Sequence, residues 1–332
     1  MIRNDSRSGH RSAFTLVELM VVILIIAILV SLISSAVLKA MQRIPEVQTR
    51  TEISEMEVAL RAFMSDYGLS QPPPSVLLLN ESAPLSVGGT TASFLTQVFG
   101  KTLGPTDWNG DGIIAPPNVT WALQGHQCLV FYLGGIPSNP LNPMTPGALP
   151  AGLGFSTNNM KPSMGSMNID YQAGGNPAGL PGSLGNMGKR RGPYFTFVTG
   201  RLVPSALPTS QGFYSYLDPW QVKTGPMPYV FFSSSGQNNG YSVTDCNTVI
   251  FTDNSGTQHF ALPYWTGVSG TTLTYTYSNT YQIISAGRDG MFGYNPAYPQ
   301  PNNLWVPASG AIGTGADDQA NFSGSLLGSG QS

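Results

Sequence analysis

The strongest pattern along the chain is a dense apolar run near its start. From Leu19 to Leu38, 20 consecutive residues carry no charge. As a helix rising about 1.5 Å per residue, such a run spans about 30 Å, the thickness of a bilayer's hydrocarbon core. Beyond it the helical period continues in amphipathic form. Ile53, Met56, Leu60, Phe63, Met64 and Tyr67 fall on one stripe, while Glu46 with Arg50 and Glu57 with Arg61 form (i, i+4) pairs on the wetter faces. Gly68 suits the position just past a helix end, and Pro72-Pro73-Pro74 forbids continuation. One helix is expected over 14–67, crossing a membrane over about 14–38, with a kink or melted turn at Pro45.

Downstream, strand-like runs occur at 128–133, 194–203, 229–233, 248–252, 271–277 and 281–285. They predict an α+β fold in which the second half of the long N-terminal helix packs on an antiparallel β-sheet. The globular part is expected over 68–332. About 75–190 of it reads as a large, weakly patterned insertion, and the stretch from Gly134 to Gly192 has the Gly, Pro, Asn and Met content of a long loop.

Composition narrows the functional classes. Charged residues make up 10% of the chain, with 39 Gly and 27 Pro, as in secreted β-rich domains rather than cytosolic enzymes. Seventeen acids against 15 bases leave no basic excess for nucleic acid. Lys189-Arg190-Arg191 reads as a solvated loop. The two cysteines, Cys128 and Cys246, lie in no C-x-x-C pair, so zinc is not indicated. In an oxidising compartment they are either one bridge or two buried thiols. His10, His126 and His259 fall in no metal-ligand spacing, and neither a nucleophile elbow nor a phosphate-binding loop occurs. An enzyme on a membrane tether is therefore the weakest of the functional classes.

The first 18 residues separate the remaining classes. Arg3, Arg7 and Arg11 stand against Asp5, which orients the N-terminus toward the cytoplasm. A small residue, Ala13, precedes the apolar stretch, whereas an ordinary secretory signal places its cleavage site after it. Glu18 puts a carboxylate at the head of an apolar span, which is costly unless it is paired. The order of a basic segment, Ala13, Phe14-Thr15-Leu16-Val17-Glu18 and an apolar run resembles the leader of type IV prepilins and type II secretion pseudopilins. That resemblance implies a pilin fold, cleavage between Ala13 and Phe14 by a prepilin peptidase, and N-methylation of Phe14. It implies that Glu18, fifth in the mature chain, pairs with the Phe14 amine of a neighbouring subunit and sets the filament's register. One departure is Ala13, where the family has Gly. The implied partners are copies of the chain, other pilins or pseudopilins and an inner-membrane assembly platform. The implied location is the inner membrane, crossed once, with the globular part in the periplasm or on the cell surface.

A second resemblance lies further along. Gly192-Pro193-Tyr194, Leu217-Asp218-Pro219-Trp220, Pro228-Tyr229-Val230-Phe231 and Ser285-Ala286-Gly287-Arg288-Asp289-Gly290 are similar, in order, to segments of the type II secretion major pseudopilin. Gly315-Ala316-Asp317-Asp318 resembles that family's closing acidic segment. The resemblance implies a subunit of a secretion pseudopilus; a surface pilus subunit for adhesion, motility or DNA uptake is the alternative. It also implies a calcium ion held by Asp289 and one of Asp317 or Asp318, with backbone carbonyls such as Ala286 and Arg288. Against this stand Gln221 after Trp220, where the family has Gly, and the distance between the two acidic elements. An Asp-Gly turn beside a solvated acid pair is the plainer reading. A separate calcium candidate, Asp107, Asn109 and Asp111, follows the start of an EF-hand loop, but Asn118 occupies the place of the closing Glu. An Asx turn is its alternative.

Overall fold

A computed structural model describes residues 16–110, 114–136, 154–160, 162–163, 189–220, 225–253, 255–269, 272–294, 304–306, 310–311 and 313–329. At 32–42, 269, 310–311 and 329 it describes the backbone alone. Helix α1 (Leu16–Asp66) takes in both the apolar run and the amphipathic stripe. Pro45 lies inside it, so the turn expected to melt stays helical. The chain divides into two compact units, Met1–Pro45 and Glu46–Ser332.

In the first unit the side chains of 16–31 are exposed on every side of the helix, from Leu16 at 73% to Val30 at 56%. A helix apolar all round has no face suited to water. Among the described residues no helix is long and apolar enough to cross a membrane.

The second unit adds α2 (Gly89–Phe99) and α3 (Gly125–Gly134) to the last turns of α1. Its strands pair antiparallel throughout. β1 (Leu77–Leu79) pairs with β2 (Trp121–Leu123), β3 (Phe155–Ser156) with β4 (Arg190–Arg191), and β5 (Leu202–Pro204) with β6 (Tyr214–Tyr216). After β7 (Val230–Ser233) come the hairpins of β8 (Ile250–Thr252) with β9 (Gln258–Phe260) and β10 (Trp265–Ser269) with β11 (Thr272–Tyr275). β12 (Tyr281–Ser285) follows, then β13 (Trp305–Val306) with β14 (Gly310–Ala311), and β15 (Gln319–Ala320). Among the described residues the largest sheet has three strands, in the order β15-β12-β7. The expected single sheet is thus several small ones.

That sheet has no wet face. Successive strand residues point to opposite sides, and here both sides are apolar. Phe231, Tyr281 and Ile283 join Ile53, Met56, Leu60, Phe63 and Tyr67 of α1 in one core. Val230, Phe232 and Ile284 join Tyr264, Phe292, Trp305 and Phe322 in a second. Phe63 illustrates the first core: its ring lies 5.4 Å from Tyr132 and 5.7 Å, edge-on, from Tyr194. Burying one such side chain contributes about 1.5–3 kcal/mol.

Two expectations change. The run 128–133 is not a strand; it forms most of α3. Its start is fixed by the Gln124 N–H, which donates to Gln127 Oε1 at 3.1 Å, and it ends at Gly135, at φ +80°. Because α3 is buried nearly all round, it carries no polar face to betray its period. In addition, part of the weakly patterned 75–190 is core: Leu77, Leu79, Phe94, Leu95, Phe99, Trp108 and Leu123 all lie in the first core.

Carboxylates on α1 dock it to the sheets. Glu52, 8% exposed, receives a short charged hydrogen bond from Arg201 and a 2.9 Å bond from the Tyr229 hydroxyl. Arg201 also donates to the Tyr216 hydroxyl and, at 3.2 Å, to Leu217 O. Lower down the helix, the Tyr194 hydroxyl donates to Asp66 at 2.9 Å. Burial, then the Glu52 charge, push the Tyr229 phenol well up. Glu57 and Arg61 form their (i, i+4) pair at 2.7 Å.

Phe63→Ala should cost about 3–5 kcal/mol by denaturant unfolding, because little can collapse into the space. Arg201→Met should cost roughly 2–4 kcal/mol by leaving the Glu52 charge buried, below the loss at a fully dry pair because part of Arg201 is wet. A Glu52→Gln, Arg201→Met double variant should recover much of that loss.

Candidate functional site

Two places gather the residues singled out above: the start of α1, and the acidic loops at the far side of the three-stranded sheet. Ala13 and Phe14 lie outside the described residues. Glu18 stands exposed near the start of the described part of α1. Its neighbours Val17, Leu19 and Met20 are all more than half exposed.

At the second place the fold brings together two acidic segments that are far apart in sequence. The Asp289 N–H donates to Asp317 Oδ2 at 3.0 Å, and Asp289 Oδ1 accepts the Met291 N–H at 2.8 Å. Gly287, at φ +67°, allows the approach: a Cβ there would lie 2.2 Å from Asp317 O. Asp318 is fully buried, and its Oδ2 accepts the Tyr264 hydroxyl at 2.6 Å and the Gly293 N–H at 3.1 Å. Its Oδ1 is buried with no hydrogen-bond partner.

The electrostatics follow from this crowding. Burial, then the Asp317 charge, push Asp289 up to about 7. Burial also raises Asp317, and raises Asp318 far more. Raised acids beside an orphaned carboxylate oxygen are an arrangement that a cation relieves. Among the described residues no group of three or more His, Cys, Asp or Glu is placed to hold a metal. An ion here would therefore rest on two carboxylates completed by backbone carbonyls, a donor set that suits calcium.

In the EF-hand-like segment Asp107 Oδ1 accepts the Gly110 N–H, three positions on, at 2.7 Å. Asp107 and Asn109 are buried at 0% and 2%, and Trp108 is sunk between Phe99 and Phe131. Asp111 lies outside the described residues. The loop is pinned by a residue the sequence reading missed: buried Glu81, whose carboxylate accepts the N–H groups of Trp108 at 3.1 Å and Ala115 at 2.7 Å. Its partners stand 27 and 34 positions away, and no local signal marks it.

Cys128 and Cys246 are both buried free thiols. His126 is held down near 4 by burial, with its Nδ1 unpartnered. His259 bonds Asp253 at 2.9 Å and stacks on Tyr294, with centroids 3.6 Å apart, which ties the β8–β9 hairpin. The pseudopilin-like segments converge as well. Asp218, pushed up to about 7 by burial, accepts the Ser285 hydroxyl at 2.7 Å and the Trp220 N–H at 3.2 Å. Tyr194 and Tyr229 are the hydroxyls that grip α1.

No curated protein and no solved structure matches the chain. A family model described as the prokaryotic N-terminal methylation motif matches residues 9–34. Those residues span Ala13, Phe14, Glu18 and much of the apolar run, so the chain carries a prepilin-type N-terminal methylation motif, which supports a type IV pilin-like protein.

Proposed function

We propose that the chain is a structural subunit of a pseudopilus-like filament that assembles through its N-terminal helix and serves type II protein secretion. One observation carries this reading. The methylation motif at 9–34 takes in the first part of α1, where the side chains of 16–31 are exposed all round and apolar apart from Glu18 and Ser31. Such a helix is at rest in a bilayer before assembly and among other apolar helices after it. Prepilin peptidase cuts between Ala13 and Phe14, and the new Phe14 amine meets Glu18 of the adjoining subunit. Each buried charge then satisfies the other, and the pairing sets the axial register. The uncharged run from Leu19 to Leu38 supports a single membrane crossing, with the globular part on the far side.

The secretion setting is supported by the pseudopilin-like segments, of which Tyr194 and Tyr229 hydrogen-bond α1 at Asp66 and Glu52 while Asp218 and Ser285 bond each other. A surface pilus subunit is the second reading. It is favoured by the length of chain between α3 and β4, more than such a segment needs simply to connect the two. In either role a calcium ion at Asp289, with Asp317 or Asp318, would order the end of β12 against β15.

Glu18→Ala should leave membrane insertion intact. Filament yield from sheared cells should fall by at least about tenfold, because a buried unpaired amine costs several kcal/mol; normal yield would overturn the register role.

The calcium assignment makes a prediction with two signs. Asp289 is raised above its unfolded value, so without a cation its contribution is greatest below about pH 4. That contribution is lost as pH climbs toward about 7. Thermal melts in chelator should show this decline, and millimolar calcium should flatten it. Asp289→Asn should melt higher than wild type in chelator at pH 8 and lower than wild type in calcium. The same shift in both conditions would rule out ligation.

A further inference from the structure

We infer that Cys128 and Cys246 are a disulfide-forming pair that closes when the domain reaches an oxidising compartment. The inference relies on the proposed function only for that compartment. Both side chains are 0% exposed, and the structure places them against the same turn of α3. A Cβ on Gly125, the first residue of α3, would lie 2.8 Å from Cys246 Sγ and 1.8 Å from Phe231 O. Only a glycine lets the helix start so close to β7 and to the segment that carries Cys246. The Gly125 N–H donates to Asp245 O at 2.8 Å, which pins that segment one residue away. Cys128 lies three positions beyond Gly125 on the same helix face, where Cβ atoms are about 5–6 Å apart. Cys246 therefore rests against the face that presents Cys128, at a separation that side-chain rotation and small shifts can span.

Little competes with the bridge. Cys128 Sγ reaches Leu123 O at 3.7 Å and Cys246 Sγ reaches Phe231 O at 3.5 Å, both weak contacts for a thiol. Asp245 turns its carboxylate to the Ser75 hydroxyl rather than to either sulfur. Burial, then the neighbouring Cys246, push the Cys128 thiol well up, and burial pushes Cys246 up to about 12. Folded thiols are thus held protonated and inert, and the exchange takes place in the folding chain before α3 seats on Cys246.

The step balances as ordinary thiol–disulfide exchange. One thiolate attacks the disulfide of an extracytoplasmic oxidoreductase, forming a mixed disulfide and releasing one oxidoreductase thiol. The second cysteine then displaces the other. The chain loses two protons and two electrons, one S–S bond forms, and the oxidant leaves as a dithiol. The closed loop, 128–246, includes Tyr194 and Asp218, and bridging would hold α3 to the neighbourhood of β7.

The test uses the full-length chain extracted from its native membrane or surface fraction, denatured with an alkylating agent and no reductant, then analysed by intact and peptide mass spectrometry. The expected result is a chain lighter by two hydrogen atoms, with the Cys128 and Cys246 peptides linked and alkylated only after reduction. Both thiols alkylated without reductant would overturn the pair. The same spectrum reads the N-terminus separately. A bridged chain still beginning at Met1 supports the pair and counts against filament assembly; a chain beginning at methylated Phe14 with free thiols does the reverse.

Discussion

A sheet of three short strands with no wet face needs a separate apolar layer on each side, and that requirement organises the globular part. Phe231 and Ile283 look toward α1, whereas Val230, Phe232 and Ile284 look away from it. The alternation is only the two-residue period of a strand, but neither set of residues can be left in water. One layer is drawn from α1, α2 and α3; the other comes from the hairpins and the C-terminal segments. Residues widely separated in sequence are thereby committed to a common sheet.

The same requirement explains the polar grip on α1. Apolar packing holds a helix against a sheet without fixing its height or rotation, because such contact has little direction. Glu52 with Arg201 and Tyr229, and Asp66 with Tyr194, supply direction. Buried charges of this kind add little net stability, but a slip of one residue would leave them unpaired.

On the far side of the sheet, the end of β12 and the start of β15 bring Asp289, Asp317 and Asp318 into one crowded corner. The cost of that crowding appears in the raised acids and in the unpartnered Oδ1 of Asp318. In the EF-hand-like segment Asp107 accepts the Gly110 N–H, and Glu81 satisfies the N–H groups around Trp108. In both places backbone N–H groups bond to carboxylate oxygens; what sets Asp318 apart is its second, buried oxygen with no hydrogen-bond partner.

What the sequence determined by itself is local and continuous. The apolar run, Glu18 at its head, the stripe from Ile53 to Tyr67 and the core strands at 230–233 and 281–285 each state their pattern within a few turns or a few residues. The tertiary structure alone decided the rest. It made 128–133 a helix, because a segment buried all round shows no polar face from which a period can be read. It turned part of 75–190 into core, and it found Glu81 and Arg201 their partners. It also joined Asp289 to Asp317 across 28 positions. Those outcomes depend on which distant groups meet, and electrostatics and packing act over ångströms in space rather than along the chain.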